Sequence, residues 1–288
     1  MKQFLYKMNK FSEINLDYSI NSGQVFLWEK YDNTWYGING SDVVSITDSS
    51  NQLRSFSKNP MDIFRNGDNS REIFQSITRD KVVKSAVKRF NGLRLLRQDP
   101  FQCYISFISS SNSNIQKIRL VLRNLCKKFG TQIRYEEREF FLFPEPDIIA
   151  KAQKSDLLKC GFGYRTKAVK EAASAVISGR IDFDYLKKTN YQSAKESLLK
   201  IFGVGNKIAD CIMLFSLEKL DAFPLDRWMI RVLQKYYADK FPMAKKTITE
   251  KTYQSLHNEI VDHFGPYAGY SQQFLFKMER DLNEKKWL

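Results

Sequence analysis

Histidine and cysteine are scarce in this chain of 288 residues, which holds two of the first and four of the second. The histidines, His257 and His263, are too few to build a histidine-based metal site. The cysteines, Cys103, Cys126, Cys160 and Cys211, are widely separated, and no C-x-x-C pair occurs. That spacing supports neither a zinc finger nor an iron–sulfur cluster, and it reads as a set of buried free thiols. A chemistry without metal or cofactor is therefore expected. No segment approaches the roughly 20 apolar residues that a membrane span needs, and Met1–Lys10 lacks the apolar core of a signal peptide. The chain is expected to stay where it is made, with no membrane partner. Low-complexity tracts are absent too, which argues against disorder.

What the chain has in surplus is positive charge. Forty-six Lys and Arg against 32 Asp and Glu leave a net +14, which suits a polyanion such as nucleic acid or an acidic membrane surface. Charge alone does not choose between them. With 43% hydrophobic and 14% aromatic residues, the chain has enough apolar side chains to bury a core.

The first third reads as strands. Gly23–Trp28, Thr34–Ile38 and Val43–Ile46 are rich in aromatic and β-branched residues. Turn signals separate them at Tyr31-Asp32-Asn33, Asn39-Gly40 and Asp48-Ser49-Ser50-Asn51. A helical stretch over Asp80–Phe90 leads to a soft boundary at Gln98-Asp99-Pro100. Beyond it the period becomes helical. Ile115, Ile118, Leu122 and Leu125 share a face, with Gly130 as a stop. Further helices are expected at Pro146–Leu158, along Ala168–Ile177, and at Tyr191–Ile201, Asn206–Phe215, Arg227–Tyr237, Lys251–Phe264 and Tyr270–Asn283. Ile133–Phe143 is the one β-prone interruption. The expected class is α+β: an N-terminal antiparallel sheet domain over residues 1–97, then a mostly helical domain over 98–288.

The most informative segment runs from Leu198 through Gly203-Val204-Gly205-Asn206-Lys207 to Cys211. Two helical patterns meet at a Gly-Val-Gly hairpin. Glycines there leave amide N–H groups uncovered at a helix start, which is how a helix–hairpin–helix grips a DNA phosphate without reading sequence. A plain helix connection is the blander alternative. Lys207 falls in the first turn of the second helix, where the helix dipole disfavours its charged form. It is either an activated nucleophilic amine or a phosphate-binding lysine. Asp226, 19 residues on in Phe223-Pro224-Leu225-Asp226-Arg227, stands where a helix N-cap belongs. A carboxylate near a lysine amine can also stabilise a cationic sugar.

This combination resembles the helix–hairpin–helix DNA glycosylases, and within them the 8-oxoguanine DNA glycosylase branch. The likeness covers nearly the whole chain. It runs through Asn21-Ser22-Gly23-Gln24-Val25-Phe26-Leu27-Trp28, Asp99-Pro100-Phe101, Phe107–Ile115, Gly163-Tyr164-Arg165, the hairpin, and Gly265-Pro266-Tyr267-Ala268-Gly269. The resemblance implies that the sheet domain is TATA-binding-protein-like and that the enzyme is a monomeric glycosylase/AP lyase. Its partner would be duplex DNA carrying 8-oxoguanine, opposite cytosine by preference. It would act in the nucleoid-associated cytoplasm of a prokaryote or the nucleus of a eukaryote.

The same resemblance implies roles. Lys207 and Asp226 are the catalytic pair. Gly23 offers its carbonyl to N7 of the flipped base, which carries a proton only when guanine is oxidised. Normal guanine presents a lone pair there and is rejected. Phe276 and Cys211 sandwich the base, and Gln272 reads its Watson–Crick edge. Asn112, Tyr164 and Arg165 enter the duplex, with Arg165 on the opposite cytosine, while Gly203 and Gly205 hold phosphate.

Two positions depart from the family pattern. Lys117 stands where relatives carry a cytosine-selecting arginine, and Trp228 where they often have histidine, so that Arg227 is left to make the nearby phosphate contact. The rival readings are a glycosylase for another damaged base, or a non-catalytic DNA-binding module. Oxidised-pyrimidine enzymes often carry a four-cysteine cluster that is missing here, and alkylpurine enzymes usually lack the hairpin lysine.

Lysine lacks the planar fork of arginine. Excision measured opposite each of the four bases should therefore show weaker preference for cytosine than in an arginine-bearing relative. An equal or sharper preference would contradict the assignment of Lys117.

Overall fold

The structure, a computed structural model, describes residues 4–7, 14–47, 52–55, 63–65, 67–242 and 249–284. The turn expected at Asp48–Asn51 lies outside the described residues. Five antiparallel strands form the N-terminal sheet: β1 (Phe4–Lys7), β2 (Trp28–Tyr31), β3 (Thr34–Asn39), β4 (Asp42–Thr47) and β5 (Gln52–Ser55), in the order β1-β5-β4-β3-β2. Two-residue turns join β2 to β3 and β3 to β4. Asp32 and Gly40 supply the positive φ those turns need, at 52° and 62°.

Both faces of the sheet are covered. Trp35, Val44 and Ile46 pack into one buried cluster with Leu16 and Ile20 of α1 (Leu16–Ile20). Tyr36 and Val43, on the opposite face, meet Tyr135 of a small hairpin, β6 (Gln132–Tyr135) and β7 (Arg138–Phe141).

The strand expected at Gly23–Trp28 is a correction: of that run only Trp28 is in a strand. Val25, Phe26 and Leu27 are buried, so the run has a strand's apolarity. The Gln24 side chain takes the place of a neighbouring strand. Its Nε2 donates to the carbonyls of Ser19 and Arg94, both at 2.8 Å, and its Oε1 accepts from the Leu96 N–H at 2.8 Å. This fixes the loop that carries Gly23, whose φ is +83°.

The helices are α2 (Ser70–Ile77), α3 (Lys81–Arg89), α4 (Pro100–Ser109), α5 (Ile115–Phe129), α6 (Pro146–Lys151), α7 (Lys154–Cys160), α8 (Thr166–Ile177), α9 (Phe183–Lys188), α10 (Tyr191–Leu199), α11 (Asn206–Ser216), α12 (Arg227–Tyr236), α13 (Glu250–Phe264) and α14 (Ala268–Glu284). The single helix expected at Pro146–Leu158 is two, because Ala152 leaves the helical region at ψ 141°. The strands β1 and β5 and the helices α1, α2 and α9 were not anticipated. No described helix is long and apolar enough to cross a membrane.

At the centre lie α4 and α11, buried from Phe101 to Ser109 and from Ile208 to Ser216. Phe107 and Phe215 stack between them, with centroids 5.3 Å apart and planes 14° apart. An ion-pair cluster ties the segment before α2 to the loop after α11. Arg65 meets Glu218 at 2.8 Å and Asp68 at 3.2 Å, and Arg97 meets Asp68 at 2.9 Å and Glu218 at 3.0 Å.

Asp210 carries a second network inside the core. It is fully buried and lies 3.4 Å from Lys195 of α10, itself buried. The Tyr191 hydroxyl donates to Asp210 Oδ1 at 2.7 Å and accepts from Lys195 Nζ at 2.7 Å. The Tyr253 hydroxyl donates to Asp210 Oδ2 at 2.5 Å and accepts from the Leu225 N–H at 3.1 Å. Burial pushes the Asp210 carboxyl up, with Lys195 opposing it. His257 stacks on Tyr191 at 4.1 Å, and burial together with the Lys195 charge pushes its pKa down to about 4. The imidazole is therefore neutral at neutral pH.

A buried carboxylate that loses its cation is left uncompensated. Lys195→Met should destabilise the protein by about 3–5 kcal/mol, read from urea unfolding. Tyr253→Phe, which strips Asp210 of one donor and leaves the Leu225 N–H without its acceptor, should cost about 1–3 kcal/mol. A change below half a kilocalorie in both would show that the network carries no stability.

Candidate active site

Two helix starts face one cleft. The α11 helix begins at Gly205 (φ −99°, ψ 176°), with no side chain capping it. A Cβ at Gly205 would meet open space, so the first-turn N–H groups are uncovered. Gly203 is constrained differently. Its φ is +87°, and a Cβ there would lie 2.3 Å from the Cβ of Ala168. Glycine at 203 lets the hairpin seat on α8; glycine at 205 leaves amide edges bare.

Lys207, in the first turn of α11, is half-buried. Its Nζ donates to Ser110 Oγ at 3.1 Å and lies 5.3 Å from the centroid of the Phe107 ring. Asp226 is the N-cap of α12, as the sequence suggests. Its Oδ1 accepts from both the Trp228 and Met229 N–H groups at 2.9 Å. The cap bonds engage Oδ1 alone, and Oδ2 has no hydrogen-bond partner among the described residues. Burial raises the Asp226 carboxyl above its ordinary range, against the pull of the Met229 N–H, the Lys207 amine, the Trp228 N–H and the Arg280 guanidinium. Capping and a place in the cleft are thus compatible roles for one side chain.

The cleft has two compartments with a common wall. The larger, about 1000 Å³, is polar and holds Ser111, Asn112, Lys117, Arg165 and Arg227. The smaller, about 550 Å³, is lined by Gly23, Phe26, Phe107, Ile115, Phe276 and Arg280. Ser110, Ser113, Asn114, Lys207, Asp226 and Trp228 border both. The amine and the carboxylate therefore stand where a polar, cationic opening meets an aromatic pocket.

Most of the residues singled out in the sequence gather here. Lys207, Asp226, Gly23, Phe276, Asn112, Lys117, Arg165 and Arg227 line one or both compartments. Cys211 lies one turn beyond Lys207, is buried, and does not line either compartment. Burial pushes its thiol up to about 12, against the Lys207 charge, so it is a neutral, apolar surface at pH 7. Gln272 precedes Phe276 by one turn of α14. It is 4% exposed, lines neither compartment, and its Oε1 has no hydrogen-bond partner among the described residues. An amide oxygen so placed is costly to leave unpaired, and a ligand donor would satisfy it.

Tyr164 is 68% exposed at the rim. Its hydroxyl donates to the Ser111 carbonyl at 3.2 Å, and Arg165 Nε donates to the same oxygen at 2.9 Å. Arg165 Nη2 also reaches the carbonyls of Ser111 and Asn112. These side chains pin a turn in which Asn112 takes φ +46°. Arg227 Nη2 reaches Asn112 Oδ1 at 3.4 Å. The helix α5 is capped by Asn114, two residues on, whose side chain accepts from the Lys117 N–H at 2.8 Å.

Ser110 and Arg280 line the site without having been given a role from the sequence. Ser110 had only adjacency to Asn112 as a signal. Arg280 follows Gln272 and Phe276 at intervals of four on α14, a spacing that puts all three on one helix face. Among the described residues, no cluster of three or more His, Cys, Asp or Glu could hold a metal ion.

Comparison with known proteins identifies the family. Residues 105–257 match the HhH-GPD superfamily base excision DNA repair protein family, and residues 7–104 match the 8-oxoguanine DNA glycosylase N-terminal domain. The N-glycosylase/DNA lyase OGG1 of Arabidopsis thaliana is 29% identical, over 93% of this chain and 78% of its own. Among solved structures, that of MBOgg1 with a low-affinity DNA ligand superposes with a TM-score of 0.84 at 30% identity, covering 98% of this chain and 100% of the other. The Clostridium acetobutylicum 8-oxoguanine glycosylase/lyase, bound to duplex DNA with cytosine opposite 8-oxoguanine, gives 0.83 at 29% identity, covering 94% and 93%. This chain belongs to the HhH-GPD superfamily of base excision DNA repair proteins, with an N-terminal domain of the 8-oxoguanine DNA glycosylase kind.

Proposed function

We propose that this protein is a bifunctional DNA glycosylase/AP lyase that extrudes 8-oxoguanine from duplex DNA, releases it and nicks the strand. The observation that carries the reading is the shared wall: Lys207 and Asp226 border both the cationic opening and the aromatic pocket. A duplex cannot present C1′ of a stacked nucleotide to a side chain, so the base has to leave the stack. The opening then takes the backbone, and the pocket takes the base.

Chemistry follows from that placement. The Lys207 amine, once deprotonated, attacks C1′ as the C1′–N9 bond breaks, and the departing base takes the proton that the nitrogen gives up as the new C–N bond forms. The Asp226 carboxylate stabilises the positive charge that develops on the sugar. The amine's link to C1′ becomes a Schiff base once the ring opens. Loss of a proton from C2′ then expels the 3′ phosphate by β-elimination. Ser110 holds the amine in place beforehand through its 3.1 Å hydrogen bond. On the base, the family likeness gives Gly23 the N7 proton, Phe276 and Cys211 the two faces, and Gln272 the Watson–Crick edge. In support of this, Gly23 and Phe276 are neighbours: a Cβ on Gly23 would lie 3.1 Å from the Phe276 ring. Gly203 and Gly205 present the hairpin to phosphate, while Asn112, Tyr164, Arg165 and Lys117 face the duplex at the gap left by the base.

Lys207→Gln should abolish both base release and nicking on an 8-oxoguanine duplex in single-turnover assays. Base release that survives would show that another nucleophile, such as water, does the first step. Asp226→Asn should slow base release by about a hundredfold or more with little change in the affinity for lesion duplex; a loss confined to affinity would contradict its role.

The raised Asp226 pKa adds a pH signature, because only the ionised carboxylate stabilises a cation. The rate should fall on acidification, with a midpoint above the ordinary aspartate value of about 3.9. A rate that stays flat down to that pH would contradict the assignment.

A further inference from the structure

8-Oxoguanine differs from guanine at two adjacent atoms, a proton on N7 and an oxygen on C8. Gly23 accounts for the first, and no residue discussed so far meets the second. Of the three side chains that come nearest to Gly23, those of Phe276, Arg280 and Ile115, only Arg280 carries a hydrogen-bond donor. Its Nη1 lies 3.3 Å from where a Cβ on Gly23 would stand, and its guanidinium lies 5.5 Å from the centroid of the Phe276 ring. It is half-buried and lines the smaller compartment together with Gly23, Phe276, Lys207 and Asp226.

Helix geometry explains how it gets there. Gln272, Phe276 and Arg280 follow one another at intervals of four on α14, so they form a single stripe. Along it exposure rises from the buried Gln272 to the half-buried Phe276 and Arg280. The stripe thus offers an amide at one end, an aromatic face in the middle and a charged donor at the other end.

We propose that Arg280 is a specificity-determining residue of the base pocket, whose guanidinium donates a hydrogen bond to the C8 oxygen of the extruded base beside the N7–H edge that Gly23 meets. Guanine carries C–H at this position and offers the guanidinium no acceptor. The charged donor therefore favours the oxidised base and costs the normal one a desolvation with no return. Its positive charge also reaches Asp226, whose carboxyl it helps keep ionised against burial. The inference rests on the 8-oxoguanine reading above. The other place for a guanidinium at the mouth of such a pocket is a DNA phosphate, and the experiment separates the two.

Arg280→Leu keeps an apolar body over Phe276 and removes the donor; Arg280→Lys keeps the charge. Both are measured beside the wild type on three duplexes: 8-oxoguanine opposite cytosine, undamaged guanine opposite cytosine, and an abasic analogue that has every phosphate but no base. The expected result for Arg280→Leu is a loss of lesion excision and of lesion-duplex affinity by roughly tenfold or more. Affinity for the undamaged and abasic duplexes, and its salt dependence, should not change. Arg280→Lys should recover part of the lesion selectivity. Parallel loss on all three duplexes, with a salt slope shallower by about one unit, would assign the arginine to phosphate and overturn the proposal. Unchanged lesion selectivity in Arg280→Leu would overturn it too. A wild type that leaves 8-oxoguanine in place would instead refute the substrate reading on which the proposal rests.

Discussion

The two groups given the chemistry stand at the starts of different helices, so the reaction depends on what fixes one helix start against the other. Asp210 does this. It lies three residues after Lys207 on α11, buried and paired to Lys195. Through the Tyr253 hydroxyl it is linked to the N–H of Leu225, the residue before Asp226. One side of the carboxylate therefore belongs to the lysine's helix, and the other holds the loop that delivers the aspartate. A buried ion pair contributes little net stability compared with apolar packing, but the directed bonds of Asp210 join the two segments at fixed points. What they fix is the spacing of nucleophile and carboxylate.

Around this fixed pair the protein separates two environments. In the larger compartment, Lys117, Arg165 and Arg227 bring positive charge, and bare amides at the Gly205 helix start suit a phosphate. In the smaller one, Phe26, Phe107 and Phe276 supply apolar and aromatic surface, and the neutral Cys211 thiol is buried one turn beyond Lys207. The same polarity difference explains why a net charge of +14 does not by itself describe the site. In the proposed reaction, charge would bring the polyanion to the cleft, and the pocket would select the base by shape and by a few directed hydrogen bonds.

The helical framework was legible from the period of its apolar residues; Asp226 was the one cap read from the sequence, and Asp80, Asp99, Asn114 and Asn190 cap helix starts in the same way. The hairpin was readable for a related reason: a Gly-Val-Gly between apolar-periodic segments leaves few backbone alternatives. Gly23–Trp28 misled because Val25, Phe26 and Leu27 are as apolar as a strand, yet their neighbours' backbone groups are satisfied by the Gln24 side chain, which no periodicity reveals. The short strands β1 and β5 are four residues each and carry little pattern. At the site, Lys207 and Asp226 stood out by motif. Arg280 and the Asp210 network did not, since both depend on contacts between segments tens of residues apart. Asp210 between Ala209 and Cys211 was the one visible hint, a carboxylate on an otherwise apolar helix face that must find buried partners.

The account turns on Lys207 forming a covalent bond to the sugar. Borohydride reduction during turnover on a duplex with one 8-oxoguanine opposite cytosine tests this directly, run beside undamaged duplex and followed by mapping of the cross-linked peptide. The account predicts a lesion-dependent covalent complex, joined at residue 207 and absent from Lys207→Gln. Clean base release with no trapped complex, or trapping at another residue, would contradict it.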